Sequence, residues 1–207
     1  MKILLLNGSP REKECTYTAL SEVATELEKH GAKAEILQIG NKPLQGCIAC
    51  RACQKLDRCT FGGDIVNVFL EKAKTADGFI FGSPVYFANP NGSMLAVMDR
   101  IFFSGKRWLS AKPAAAVVSA RRAGTTSALD SLQKFFQITG MPMVPATYWP
   151  MVFGYKPTEV QEDKEGLQNL RELARQMIWM ITATKAAKDA GLVPPEREEK
   201  IWTNFMR

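Results

Sequence analysis

The chain begins with a short apolar run that ends in a turn, Lys2-Ile3-Leu4-Leu5-Leu6-Asn7-Gly8-Ser9-Pro10. An uninterrupted apolar run of this length, followed by turn residues, predicts a buried strand of a parallel sheet. From about residue 16 to residue 29 the apolar residues recur at helical spacing, and His30 and Gly31 stand where that helix should end. A strand, a turn and a helix in this order are typical of α/β proteins.

The same alternation continues along the chain. Apolar runs predict further strands at residues 34–39, 79–81 and 113–119, with a weaker strand at 143–149. Helices are predicted to start near Asp64, Ser93 and Gly124, and a long final helix is predicted at residues 159–188. We therefore expect a doubly wound α/β fold with five parallel strands, in which ligands bind at the carboxyl ends of the strands.

This pattern predicts one domain, residues 1–190, with a cysteine-rich loop at residues 46–60. Residues 191–207 form a tail that is rich in proline and charge, so we do not expect it to add an element to the core. The tail also contains apolar residues that we expect to pack on a partner subunit. These are Ile201, Trp202, Phe205 and Met206.

Composition limits the class of protein. The chain has 207 residues, of which 46% are apolar, and no run of apolar residues is long enough to span a membrane. The apolar stretch at the N-terminus is also too short for a signal peptide, so we expect a cytoplasmic protein. The net charge is +6 (27 Lys and Arg against 21 Asp and Glu), without a block of five like charges. This distribution favours mild attraction to anionic cofactors over nucleic-acid binding.

Four of the five cysteines lie in one stretch, Cys47-Ile48-Ala49-Cys50-Arg51-Ala52-Cys53-Gln54-Lys55-Leu56-Asp57-Arg58-Cys59. Their C-x2-C-x2-C-x5-C spacing contains the triplet that is typical of ligands to a [4Fe–4S] cluster. Structural zinc also takes four thiolates, but usually from two separated C-x2-C pairs. A loop without metal is the third interpretation. Basic residues among the cysteines are expected to lower the thiol pKa values and to offset cluster charge, and Cys15 is expected to be an ordinary thiol.

Three loops follow the predicted strands at 2–6, 79–81 and 113–119. The first, residues 8–18, leads into a helix start and carries hydroxyls and Arg11, which suit a phosphate; a capped helix with spare hydroxyls is the alternative. It lacks the motifs of a P-loop or a Rossmann NAD site. The second, residues 83–92, carries an aromatic pair that suits a flat ring or a turn packed on the core. The third, residues 119–124, carries two arginines that suit either an anionic reduced flavin or solvent.

Together these stretches resemble the NADPH-dependent FMN reductase family, and more closely its iron–sulfur flavoprotein branch. The resemblance rests on Gly8-Ser9-Pro10-Arg11, on Gly82-Ser83-Pro84-Val85-Tyr86 and on the cysteine loop that starts at Gly46, and it extends to the ending Thr203-Asn204-Phe205-Met206-Arg207. It implies a flavodoxin-like fold, bound FMN and a homodimer or homotetramer. Relatives usually have Asn or a small residue where this chain has Cys15.

The resemblance also implies roles for particular residues. In the first loop, Ser9, Arg11, Thr16, Tyr17 and Thr18 would bind FMN, with all but Tyr17 holding its phosphate. Pro84, Val85, Tyr86 and Phe87 would line the isoalloxazine ring, with Ser119, Arg122 and Gly124 on the opposite side. Cys47, Cys50, Cys53 and Cys59 would hold the cluster.

These expectations predict an oxidoreductase with ping-pong kinetics. NAD(P)H or a reduced carrier would reduce FMN, which passes electrons to the cluster or directly to a quinone or another acceptor. The only histidine, His30, is predicted to end a helix and not to act as a base. The alternatives are an electron carrier between protein partners, an FMN reductase without a cluster, and a binding or regulatory module with structural zinc.

Overall fold

The computed structural model describes residues 1–196, 198–199, 201 and 203. Its strands are β1 (Lys2–Asn7), β2 (Lys33–Gln38), β3 (Gly78–Tyr86), β4 (Asn89–Pro90), β5 (Ala114–Ala120) and β6 (Met151–Phe153). Its helices are α1 (Cys15–Lys29), α2 (Cys53–Leu56), α3 (Ile65–Ala73), α4 (Gly92–Leu109), α5 (Thr125–Thr139), α6 (Pro157–Glu162) and α7 (Lys164–Asp189).

The sheet has the predicted parallel, doubly wound arrangement. Its main strands lie in the order β2-β1-β3-β5-β6, and the short β4 pairs only with β3. When β4 is set aside, this is the 2-1-3-4-5 order of flavodoxin-like sheets. In that order the loops that follow β1, β3 and β5 emerge side by side at one edge of the sheet, where ligands bind in such folds.

Two apolar layers cover the sheet, and β1 contributes to both. Leu4 and Leu6 belong to the layer beneath α3, α4 and α5, while Ile3 and Leu5 belong to the layer beneath α1 and α7. This alternation follows from the two-residue period of a strand. All four side chains are fully buried, and each burial contributes roughly 1.5–3 kcal/mol to folding.

The expected strand at residues 143–149 is not formed. Met143 makes only an isolated bridge to Ala114, and the fifth parallel strand is β6, which follows Pro150. Pro145 interrupts the predicted segment, Pro142 and Pro150 flank it, and proline cannot donate a ladder hydrogen bond. Asn169 instead holds the intervening loop, accepting from Tyr148 N at 2.9 Å and donating to Trp149 O at 2.8 Å.

The expected final helix is divided into α6 and α7 at Asp163. The carboxylate of Asp163 accepts from Gly166 N at 2.9 Å and from Phe153 N at 2.8 Å. It therefore caps the start of α7 and also holds the end of β6, which requires a non-helical backbone at this residue.

β3 is longer than expected and turns back on itself. It continues through Pro84 to Tyr86, and β4 pairs with its end in an antiparallel hairpin. Pro84 is the last residue of β3 that pairs with β5, so its missing N–H falls at the end of the parallel ladder. Among the described residues, no helix is long and apolar enough to cross a membrane. The predicted tail residues Trp202, Phe205 and Met206 lie outside the described residues.

Candidate flavin site and cysteine loop

The first loop is held by two amide side chains that the sequence analysis did not identify. Asn7 Oδ1 accepts from Ser9 N at 3.1 Å, while Asn7 Nδ2 donates to Gln38 Oε1 at 2.5 Å and to Glu12 O at 3.3 Å. Gln38 Nε2 in turn donates to Ser9 O at 2.6 Å. Asn7 could have been identified from the sequence, because it is a polar residue at the end of the apolar β1 run.

The start of α1 faces this loop with unused backbone donors. Glu14 occupies the N-cap position, and no side chain of the described residues caps the helix there. Free N–H groups at a helix start favour an anion such as a phosphate. Arg11 lies beside them with an exposed side chain, 3.9 Å from Glu14, and its backbone N donates to Ser9 Oγ at 3.1 Å.

The other predicted phosphate ligands have further partners in the structure. The hydroxyl of Thr16 is buried and lies 2.8 Å from Ser119 Oγ, so these two residues join the first and third loops. The hydroxyl of Thr18 donates to Glu14 O at 3.2 Å within the helix. Tyr17 is half-buried. Of the predicted phosphate ligands in the first loop, Ser9 and Arg11 are joined by a hydrogen bond, from the Arg11 backbone to the Ser9 hydroxyl.

Asn91 connects the first loop to the second. Its Nδ2 donates to Gly8 O at 3.0 Å, its backbone N donates to Ser83 Oγ at 3.0 Å, and its Oδ1 caps α4 by accepting from Ser93 N. A Cβ at Gly8 would lie 2.7 Å from both Gly82 O and Met94 Sδ, so only glycine allows this approach. These contacts bring the two loops to the same point of the sheet edge.

The second loop ends in a two-residue turn at Phe87 and Ala88. Both residues have positive φ, 50° and 60°, which strains L-residues. The Phe87 side chain is fully exposed at 101%, and Tyr86 is 40% exposed. Pro84 and Val85 are half-buried. The predicted aromatic pair is therefore available to a flat ligand and is not part of the core.

The third loop touches the second. Gly124 has φ 88°, and a Cβ there would lie 2.7 Å from Ala88 Cα. Ser119 is buried and Arg122 is exposed. This contact leaves no room for a flat ring between Gly124 and Ala88.

The four clustered cysteines line one cavity of about 20 Å³, together with Arg100 and Phe103 of α4. Cys50 is exposed, Cys47 and Cys53 are half-buried, and Cys59 is buried. Cys53 Sγ donates to Phe103 O at 3.9 Å, which places the loop against the middle of α4. The loop therefore brings the four predicted metal ligands around one volume.

The backbone of this loop is unusual. Ala49, Arg51 and Asp57 have positive φ between 53° and 60°, although none is glycine. Left-handed residues between helical ones turn successive N–H groups inward and create concavities that suit anions, including iron–sulfur clusters. Strained residues of this kind concentrate at functional sites.

The arrangement of the four cysteines distinguishes a single metal ion from a cluster. Within the described residues, no three Cys, His, Asp or Glu side chains are arranged to hold a metal ion, so the loop is not a preformed zinc site. In a [4Fe–4S] cluster four thiolates surround several irons, which requires sulfurs around a larger volume than one ion does. The four thiols are the donor set that such a cluster takes, whereas the cavity of about 20 Å³ would have to widen to hold it.

The expected lowering of thiol pKa values does not hold for Cys53. Burial raises the pKa of its thiol above the ordinary value, and the neighbouring cysteines add to this effect. Arg51, Lys55 and Arg58 are exposed, so solvent screens their charges from the cavity. Burial likewise raises the pKa of the Cys15 thiol, whose Sγ donates to Gly154 O at 3.6 Å. An unreactive Cys15 agrees with the prediction of an ordinary thiol.

α4 connects the two regions. It starts at Gly92, beside the strand-end loops, and meets the cysteine loop at Arg100 and Phe103, roughly 12 and 16 Å further along its axis. His30 ends α1 as predicted, 3.3 Å from Glu26 Oε1 and remote in sequence from both regions. It has no place in either candidate site.

Comparison with known proteins identifies the class. Residues 1–156 match the family described as NADPH-dependent FMN reductase, and the chain belongs to this family. The family comprises FMN-binding, flavodoxin-like oxidoreductases, so the resemblance inferred from the motifs is confirmed.

Individual relatives narrow the comparison. The chain is 29% identical over 195 residues to an iron–sulfur flavoprotein of Methanocaldococcus jannaschii, which covers 89% of this chain and 100% of the relative. It is 30% identical over 206 residues to an iron–sulfur flavoprotein of Archaeoglobus fulgidus, which covers 92% of this chain and 100% of the relative. A solved flavodoxin from the domain Archaea superposes with a TM-score of 0.60 at 15% identity, over 88% of this chain and 99% of that one. The last likeness supports the flavodoxin-like fold.

Proposed function

We propose that this protein is an FMN-dependent oxidoreductase that passes electrons from NAD(P)H or a reduced carrier, by way of FMN and a [4Fe–4S] cluster, to an acceptor such as a quinone. Membership of the family supports FMN as the cofactor. The single observation that supports the cluster is that all four clustered cysteines line one cavity. The relatives named iron–sulfur flavoproteins agree with this proposal.

The chain's own residues supply binding and orientation. The uncapped start of α1 and the exposed Arg11 beside it would attract the FMN phosphate, because both present positive charge. Tyr86 and Phe87 would contact the ring, and Arg122 would stabilise negative charge near it. When bound, FMN supplies the hydride chemistry, so no side chain needs to act as a base.

The remaining predictions concern location and partners. We propose a cytoplasmic homodimer or homotetramer in which tail residues pack on a partner subunit. Ile201 is 88% exposed on the single chain, which leaves it available for such packing. We propose no nucleic-acid or membrane partner.

One observation favours the second candidate, an electron carrier between protein partners. The exposed apolar residues Ile48, Leu56 and Phe103 lie on or against the cysteine loop, beside exposed basic residues. A surface with an apolar centre and charged surroundings suits a protein partner. Rapid steady-state turnover of NAD(P)H with a quinone would count against this candidate.

Anaerobic steady-state kinetics test the main proposal. With NADH or NADPH as donor and a quinone as acceptor, we expect the parallel double-reciprocal lines of a ping-pong reaction. If neither NADH nor NADPH supports turnover, NAD(P)H is rejected as the donor.

The FMN assignment is tested by Arg11→Ala, with Lys13→Ala as the matched control because it removes an equal charge from the same exposed loop. Loss of a charged phosphate contact should weaken FMN binding about tenfold or more in Arg11→Ala alone. Equal FMN affinities in the two variants would show that Arg11 does not hold the phosphate.

A further inference from the structure

Arg100 is a buried cation that the function described so far does not use. Its side chain is 1% exposed, although arginine is almost never fully buried unless it is paired. It projects from α4 into the apolar layer that also contains Cys59. In the sequence it looks like one more charged residue on an amphipathic helix.

The guanidinium holds both ends of the cysteine loop. Its Nη1 donates to Gln45 O at 3.2 Å, before the first cysteine, and its Nη2 donates to Phe61 O at 3.1 Å, after the last cysteine. Nη1 and Nη2 also bond the two carboxylate oxygens of Asp64, at 2.5 and 3.3 Å. Two segments that are distant along the chain are thereby fixed at one point.

The remaining donor is directed at a predicted metal ligand. Arg100 Nε donates to Cys59 Sγ at 3.2 Å. With this bond, the five N–H donors of the guanidinium match five hydrogen bonds. A lysine could not reproduce the arrangement, because its ammonium is a point donor without the planar fork.

We propose that Arg100 is the positioning residue of the cysteine loop: it fixes the loop in a shape that gathers the four thiols, and its Nε–H hydrogen-bonds the Cys59 sulfur and so tunes a cluster bound there. The tuning role rests on the cluster of the proposed function, whereas the role in fixing the loop does not. Hydrogen bonds to the sulfurs and nearby charge set cluster reduction potentials. A donor on Cys59 favours the more negative, reduced state, so its removal should lower the potential.

The first test uses metal-free protein, so that it does not depend on the cluster. Cys59 and Cys50 are alkylated in the same sample with iodoacetamide, and the two rates are followed by mass spectrometry. In Arg100→Gln and Arg100→Lys we expect Cys59 to react roughly tenfold faster relative to Cys50 than in the wild type, because the loop opens locally. Arg107→Gln is the control: it lies on the same helix and removes an exposed ion pair with Asp57 of the same loop.

The second test follows anaerobic reconstitution with iron and sulfide. Arg100→Gln should bind less iron and sulfide, while its FMN content stays at the wild-type level. Arg100→Lys keeps the charge and provides the folded variant if Arg100→Gln does not fold. Its cluster should have a lower reduction potential in an EPR-monitored titration than the clusters of the wild type and Arg107→Gln.

The outcomes separate the two proposals. Unchanged Cys59 alkylation in both Arg100 variants would overturn the positioning role, and an unchanged potential in Arg100→Lys would overturn the tuning role. If both variants fail to fold, slow solvent exchange of the Arg100 Nε–H in wild-type NMR spectra supports the hydrogen bond, and fast exchange overturns it. Wild-type protein that binds FMN but takes up no iron would reject the cluster while leaving the alkylation test intact.

Discussion

The first loop and the cysteine loop are both shaped by buried or half-buried polar side chains, but the charge of those side chains differs. Asn7 and Gln38, which are neutral amides, hold the first loop. Arg100, a cation paired with Asp64, holds the cysteine loop. A loop that receives an anion from solvent can keep its positive charge at the surface, on Arg11 and the helix start. A loop whose own thiolates become anionic benefits from a permanent cation beneath them.

The difference predicts unequal costs of disruption. Removing one partner of a buried ion pair costs about 3–5 kcal/mol, because an uncompensated charge stays buried. Removing a neutral buried amide costs about 1–3 kcal/mol, because the remaining groups lose hydrogen bonds but no charge is stranded. Asp64→Ala and Asn7→Ala test this order.

Asp64→Ala should have the largest effect. It removes the carboxylate partner of Arg100 and the N-cap of α3, and we expect a loss of about 3–5 kcal/mol in the free energy of unfolding. Urea denaturation measures it. The control Asp57→Ala removes an exposed pair with Arg107 and should cost less than about 1 kcal/mol. Similar losses in both variants would mean that the buried pair has no special role.

Asn7→Ala should come next. The change leaves Ser9 N, Glu12 O and Gln38 Oε1 without their partner, so we expect a loss of about 1–3 kcal/mol and weaker FMN binding. Fluorescence titration of FMN and urea denaturation provide the two readouts. Asn41→Ala, at an exposed position, is the control. Wild-type FMN affinity in Asn7→Ala would show that these amides do not shape the phosphate loop.

Gly124→Ala tests the contact between the second and third loops. The left-handed backbone alone should cost about 1–2 kcal/mol, and the collision with Ala88 should add to it. Gly31→Ala has a similar φ with nothing within 4 Å, so it measures the backbone cost by itself. Equal losses of stability in the two variants would contradict the close contact of the loops.

Phe87→Gly should have the smallest effect on stability, and in the opposite direction. Relief of the left-handed strain should stabilise the protein by about 0.5–1 kcal/mol, because glycine adopts positive φ without a Cβ clash. FMN binding or turnover should nevertheless fall, since the exposed ring is lost. Ala88→Gly relieves similar strain and keeps the ring. Unchanged binding and turnover in Phe87→Gly would remove Phe87 from the site.

Local sequence patterns predicted much of the fold but less of the site. The apolar run of β1, the helical spacing in α1 and the cap at Asp64 were predicted, because each depends on neighbouring residues. The start of β6 and the break before α7 depend on Asn169 and Asp163, whose contacts are distant in sequence or cross an element boundary.

The polar residues beneath the loops show the same limit. Arg100 could not be predicted, because its burial depends on Cys59, Phe61 and Asp64, which lie 36 to 41 residues earlier. The partner of Asn7, Gln38, lies 31 residues away on the next strand. The spacing of the cysteines predicted that the four thiols share one site, because they are close together in sequence. Arg100, which shapes the loop, is distant in sequence, so no local pattern predicted its role.

The most direct test of the account is the content of FMN, iron and sulfide in anaerobically reconstituted protein, compared among the wild type, Arg11→Ala and Cys59→Ser. We predict FMN and about four irons per chain in the wild type, a lower FMN content with iron retained in Arg11→Ala, and loss of iron with FMN retained in Cys59→Ser. Wild-type protein with FMN but no iron or sulfide, or variants that lose both cofactors together, would contradict the assignment of two separate cofactor-binding loops.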